Sequence, residues 1–322
     1  MKNLKYVVLI LFLMVSCNEP SVYLETEPGF SDTVRICYDT DRYQNFTFSI
    51  LGDSSIYCSA EINGVYLDTV LIDNGFYYSA ISPNMAPVLN SSYTILDSIT
   101  QKIIHEFTCK VCKADGLYMN VGENVYQLDT FSITPWQQLS AKGTTKAVIG
   151  RDFFEKYIVE IDIRHGFMAW GNRLPTTLND YTGIPMVCAS DNHECPRRRN
   201  IKIDGFRLRD GSPIETLVFP DLGCTYTAFD NVSFLKRVDL SFSRIDTSSL
   251  AWLILNEIGM AVDSADFPVV RRENGRDAER VPSNIMDLSE LSVDIILGTD
   301  FFCHFDVIFD YKNNMLYLKR NE

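Results

Sequence analysis

From residue 43 onward the chain alternates short apolar or β-branched runs with turn residues, the pattern of strands half-buried in sheets. Phe46-Thr47-Phe48-Ser49-Ile50 alternates strictly, Gly52-Asp53-Ser54-Ser55 breaks the run, and residues 56–62 resume it. Asn63-Gly64 then predicts a tight hairpin, since both residue types accept positive φ. It hands the chain to a strand that ends at Asp73. Residues 107–112 read as a further strand, and 201–208, with Asp204-Gly205 as turn and a connection over 209–213, lead into a strand that ends at Asp221. Helical patterning is sparse, with one short amphipathic stretch at 250–260. The expectation is a mainly β protein.

Two of these strand ends match each other. Asp73-Asn74-Gly75 corresponds to Asp221-Leu222-Gly223, 148 residues on, and at the same offset Tyr78, Ser79 and Ala80 meet Tyr226, Thr227 and Ala228. The offset holds again where Val148-Ile149-Gly150-Arg151-Asp152-Phe153-Phe154 meets Ile296-Leu297-Gly298-Thr299-Asp300-Phe301-Phe302, and where Asp162 meets Asp310. Separate matches sharing one offset imply an internal duplication. The expected units are 43–178 and 179–322. Asp152 and Asp300 sit where a helix would start, a structural rather than catalytic position, and Asp162 and Asp310 read as structural too.

Two facing copies would bring Asp73 and Asp221 together. Carboxylates about 3 Å apart cannot both ionise cheaply, so they share a proton and can act on one water as base and acid.

The run Val70-Leu71-Ile72-Asp73-Asn74-Gly75 followed by Val148-Ile149-Gly150 resembles one lobe of a retropepsin-like or pepsin-like aspartic peptidase. Val218-Phe219-Pro220-Asp221-Leu222-Gly223 with Ile296-Leu297-Gly298 resembles the other. The resemblance implies a two-lobed acid-protease-like fold, each lobe a small β-barrel with a short helix. It also implies hydrolysis of peptide bonds by water held between catalytic Asp73 and Asp221, on active-site loops containing Asn74, Gly75, Leu222 and Gly223. A substrate-covering flap falls in the first lobe near 116–123. No metal or organic cofactor is implied. The chain departs from the family where a Thr or Ser hydroxyl follows the Asp and bonds across the lobe interface: here the positions hold Asn74, which can donate and accept, and Leu222, which can do neither. Pro220 also removes a backbone donor just before the second Asp. The alternative reading is therefore a catalytically inactive relative that binds peptide or another ligand between the lobes.

The amino end carries a basic start, an apolar stretch over 6–15 and Leu13-Met14-Val15-Ser16-Cys17, which resembles a lipobox. Residues 1–16 are expected to be a lipoprotein signal peptide and Cys17 the lipid attachment site, since the apolar run is too short for a spanning helix. Residues 17–42 form a polar tether. The expected location is the cell envelope, at the outer membrane facing the periplasm or the exterior, with the membrane reached through the lipid. A net charge of −13 in 322 residues argues against nucleic acid as a partner, and the body is expected to be a monomer acting on peptide or protein.

Nine cysteines are many for a reducing compartment. Setting Cys17 aside leaves an even set, with Cys188 and Cys195 the best candidates for a disulfide. Cys109-Lys110-Val111-Cys112 on a strand places its thiols on opposite faces, which argues against a metal pair. The chain has no Gly-x-Ser-x-Gly elbow, phosphate-binding loop or His-Glu-x-x-His pair, and its four histidines are scattered.

Overall fold

The computed structural model describes residues 44–237, apart from intervening stretches of which 136–144 and 189–197 are the longest, and 284–320 apart from 287, 289 and 290. The signal segment, Cys17, the tether and the helix expected over 250–260 lie outside the described residues.

The protein is mainly β, in two mixed sheets. Ile56–Ile62 and Val65–Ile72 form an antiparallel hairpin closed at Asn63 (φ 47°) and Gly64 (φ 83°), left-handed values that Asn and Gly tolerate best. The end of Val65–Ile72 is covered on both faces, so Val70, Leu71 and Ile72 are all buried and the alternation of the earlier residues gives way to a continuous apolar run. Ala147–Ile149 lies parallel to it, with Val70 opposite Ala147 and Ile72 opposite Ile149, and Ala80–Ile81 pairs antiparallel on its other side.

The same registers recur 148 residues on. Val218 lies opposite Ile295 and Pro220 opposite Leu297 in a parallel pair, and Ala228 lies opposite Ile296 in an antiparallel one. Ile158–Asp162 and Phe305–Asp310 run antiparallel with Glu160 opposite Ile308, so each strand meets its own counterpart about a central residue pair. Their outer partners match as well, Val159 with Trp170 and Val307 with Leu318. One apolar cluster includes residues from both sequence halves, among them Ile72, Phe154, Leu222, Phe302 and Phe309.

Neither sheet closes on itself among the described residues, which corrects the expectation of two small barrels. The run expected as one strand over 46–50 is divided: Gln44–Thr47 pairs with Phe167–Gly171 in one sheet, while Ser49–Ile50 pairs with Ile56–Ile62 in the other. The ten-stranded sheet ends at Tyr93–Lys102 and Asn124–Gln127. The segment 116–123, expected as a flap, contains Tyr118–Val121, which pairs with Ile56–Ile62 beside the Asn63 turn. That is the end of the hairpin away from Asp73, about 25 Å off at some 3.3 Å per residue.

The two matched helices are Arg151–Lys156 and Thr299–Phe302, each starting after a glycine. Asp152 lies in the first turn as expected, yet its carboxylate reaches out of the helix: Oδ1 accepts the Ser79 N–H at 2.6 Å and hydroxyl at 2.8 Å, and Oδ2 the Tyr126 hydroxyl at 2.8 Å. Burial raises its pKa to about 6 against those donors. Asp310 accepts the Asn313 backbone N–H and side-chain amide, fixing the turn before Met315–Arg320.

No disulfide joins two described cysteines, and Cys195, expected to bridge to Cys188, lies outside the described residues. Cys109 accepts a hydrogen bond from the Thr134 hydroxyl in one apolar cluster while Cys112 is buried in another, on opposite faces of their strand. Among the described residues no helix is long and apolar enough to cross a membrane, and no group of three or more His, Cys, Asp and Glu residues is arranged to hold a metal ion.

Candidate active site

Asp73 and Asp221 each follow the last residue of a central strand, and each is tied there by its own N–H, donated to Ile149 O at 3.0 Å and Leu297 O at 2.9 Å. The chain then turns sharply. Gly75 and Phe76 donate their N–H groups to Asp73 Oδ1 at 2.8 and 3.2 Å, and Gly223 donates to Asp221 Oδ1 at 2.9 Å. Each carboxylate is thereby held by its own loop.

The two loops face one another closely. A methyl group on Gly75 would stand 2.6 Å from Asp221 Oδ1, and one on Gly223 would collide with the Asp73 carboxylate. Only glycine lets each backbone approach the opposite acid, and this approach brings the two carboxyl groups close enough to influence each other's ionisation. The structure thus brings together all six residues expected at the site: Asp73, Asn74, Gly75, Asp221, Leu222 and Gly223.

Asn74 carries the link between the loops. Fully buried, it donates from Nδ2 to Pro220 O at 2.7 Å and to the Tyr311 hydroxyl at 2.9 Å, and its Oδ1 accepts the Leu222 N–H at 2.7 Å. Both amide hydrogens and the carbonyl are used. Leu222 contributes its backbone to this link and its side chain to the core, where it is fully buried. Pro220 is accommodated because it ends its strand: the antiparallel partner reaches only Val218, and the proline's carbonyl, not its missing N–H, makes the contact.

Behind the Asp73 loop lies Arg151, 1 % exposed. Its Nε donates to Asn74 O at 3.2 Å and its Nη2 to Gly75 O at 3.0 Å, while Nη1 makes no hydrogen bond. The guanidinium carbon is 5.9 Å from the ring centroids of both Tyr77 and Phe219, and Arg198 stands 5.2 Å from the Phe219 centroid. Arg151, Arg198 and Tyr311 were not singled out by sequence reasoning. Arg151 carried a signal, being the polar mismatch against Thr299 inside an otherwise closely matched block.

Burial, followed by the charge of Asp221, holds the Asp73 carboxyl well above the usual range, against the pull of the Gly75 and Phe76 N–H groups. Burial raises Asp221 as well, opposed by the Gly223 N–H and by Arg151 and Arg198. Such a pair can retain one proton at pH values where an isolated aspartate is ionised, and can act as acid and base toward a shared water.

No family model matches the chain, and no curated protein does. Among solved structures it is similar to conglutin gamma, a basic 7S globulin from lupine seeds, with a TM-score of 0.54 over 87 % of this chain and 95 % of that one. Sequence identity is 10 %, so the likeness is one of fold.

Proposed function

We propose that this chain is a lipid-anchored, exported aspartic-type peptidase, built from two duplicated lobes over 43–178 and 179–322, in which water between Asp73 and Asp221 hydrolyses peptide bonds. The observation that carries the reading is the mutual contact of two Asp-x-Gly loops, each glycine lying against the other loop's carboxylate. The strand registers that recur at an offset of 148 support the duplication. One carboxylate takes a proton from water as general base while the other, protonated, polarises the scissile carbonyl. The missing hydroxyls do not disable the loops on this reading, because Asn74 supplies both a donor and an acceptor across the interface. Export and anchoring at Cys17 rest on the amino-terminal sequence. They predict that Cys17→Ser moves the protein from the membrane fraction to the soluble one.

The test is hydrolysis of a peptide library from pH 3 to 8 by the wild type, Asp73→Asn and Asp221→Asn. Cleavage lost in both variants supports the dyad. Cleavage surviving either substitution removes it, and a folded wild type that cleaves nothing at any pH leaves a peptide-binding cleft without catalysis.

A further inference from the structure

The two loops are alike in backbone but not in charge. Arg151 and Thr299 occupy matching positions, and their N–H groups make matching bonds, to Phe76 O at 2.7 Å and Cys224 O at 2.8 Å. Only the first carries a cation into the centre. Its guanidinium donates to two carbonyls of the Asp73 loop, and one of these belongs to Gly75, the residue packed against Asp221 Oδ1. It also stands beside the ring of Phe219, two residues before Asp221 on the same face of that strand. Arg198 approaches the same ring. A buried cation whose Nη1 makes no hydrogen bond is costly unless an anion lies near. Through Gly75 and the Phe219 ring, Asp221 is the acid of the opposite loop that this cation reaches.

We propose that Arg151 is a positioning residue that makes the two carboxyl groups unequal, keeping the shared proton on Asp73 and leaving Asp221 as the ionised base. The base assignment rests on the peptidase reading; the placement of the proton does not. The backbone donors oppose this order, since Asp73 Oδ1 accepts two N–H groups and Asp221 Oδ1 accepts one. Arg151 and Arg198 both flank the ring of Phe219, two residues before Asp221, and two full charges there outweigh the single dipole of the extra N–H. The other ionisable groups around the pair are Tyr311, which bonds Asn74, and Arg199, which stands over the Tyr311 ring. The tyrosine is neutral across the relevant range because burial pushes it up to about 12. The directions of the two aspartate shifts agree with the proposal: Asp73 is held well above the usual range, and Arg151 and Arg198 oppose the rise of Asp221.

The experiment is a carboxyl titration by 13C NMR of protein labelled at aspartate, from pH 3 to 9. Asp73→Asn and Asp221→Asn serve to assign the two signals, and the titration is repeated in Arg151→Met and Arg151→Lys. In the wild type the signal that stays protonated to the higher pH belongs to Asp73. In Arg151→Met the Asp221 midpoint rises by about one pH unit or more, as expected for loss of a nearby opposite charge, while Arg151→Lys stays closer to the wild type. A proton found on Asp221, or divided evenly in the wild type, overturns the proposal even if neither arginine variant folds. So does an Asp221 midpoint unmoved in a folded Arg151→Met. The titration is read without substrate, so an inactive protein showing the expected order refutes the peptidase reading and leaves the proton assignment standing.

Discussion

Asn74 grips Leu222 by its backbone: the amide oxygen of the first accepts the N–H of the second at 2.7 Å, across the interface between the two Asp-x-Gly loops. With Pro220 O held by the same side chain, one residue makes a donor and an acceptor contact to the opposite loop. Position 222 is therefore free to face the core.

A ranking of substitutions at position 74 follows. Asn74→Ala leaves a buried N–H on Leu222 and a buried carbonyl on Pro220 without partners, at about 1–3 kcal/mol for each group. A loss of about 3 kcal/mol or more is expected in denaturant unfolding. Asn74→Thr should lose less, since one hydroxyl can donate to Pro220 O while accepting from Leu222 N–H. Asn74→Asp should lose most at neutral pH, because it turns an acceptor toward Pro220 O and adds a third carboxylate beside the dyad. Equal stabilities for the Ala and Thr variants would show that the cross-loop bonds contribute nothing.

Leu222→Thr, which restores the residue type the family resemblance leads one to expect, should harm this protein. The side chain is fully buried in an apolar cluster, so the exchange removes packing and places a hydroxyl where no partner awaits it. A loss of about 2–4 kcal/mol is expected, with no rise in hydrolysis alone or combined with Asn74→Thr. A stabilised or more active Leu222→Thr would mean that the hydroxyl finds a partner across the loops.

These two positions show why the site was only partly legible in the sequence. The strand-to-Asp ends, the glycines and the 148-residue offset are local or repeated signals, and they located the facing carboxylates. That one amide does the work of two hydroxyls depends on contacts 146 and 148 residues distant, and the Tyr311 contact spans 237. Sequence pattern does not reveal such contacts. The fold was legible as mainly β, and the Asn63-Gly64 hairpin was legible from turn chemistry. The division of 46–50 between two sheets was not, because alternation specifies a strand and not its neighbour.

Asp152 yields a prediction about pH. Tyr126 and Ser79 lower its pKa against burial, which brings it to about 6. Removing one donor in Tyr126→Phe should move its titration above 6, read by carboxyl 13C NMR. The native state binds the proton more tightly than the unfolded chain, so this group's contribution is fully present below about pH 4 and declines as pH rises through the native value. Asp152→Asn should flatten that decline in a plot of Tm against pH from 4 to 7. An unchanged slope would show that Asp152 keeps an ordinary carboxylate acidity in the folded protein.

The dyad obeys the same sign, and its geometry can be disturbed without touching either acid. Both carboxyl groups are raised in the folded protein, so their contribution to stability is present below the unfolded value near pH 4 and is lost as pH rises. Asp73→Asn removes, without changing shape, a carboxyl group that must take up a proton for the chain to fold at pH 7, and should raise Tm at pH 7 while leaving it nearly unchanged at pH 3.5. Gly223→Ala acts from the opposite loop, where its methyl group would drive into the Asp73 carboxylate. The loops must part to admit it, and parting weakens the repulsion by Asp221 that helps hold Asp73 high. Gly223→Ala should therefore shift the pH-dependent loss of Tm to lower pH and, on the peptidase reading, reduce hydrolysis by about 100-fold or more, since displacements near 1 Å cost that much. Gly75→Ala, facing Asp221 at 2.6 Å, should behave alike. Variants with wild-type titration and wild-type folding would show that the loops tolerate separation, and contact between the two carboxyl groups would then lose its role in setting their acidity.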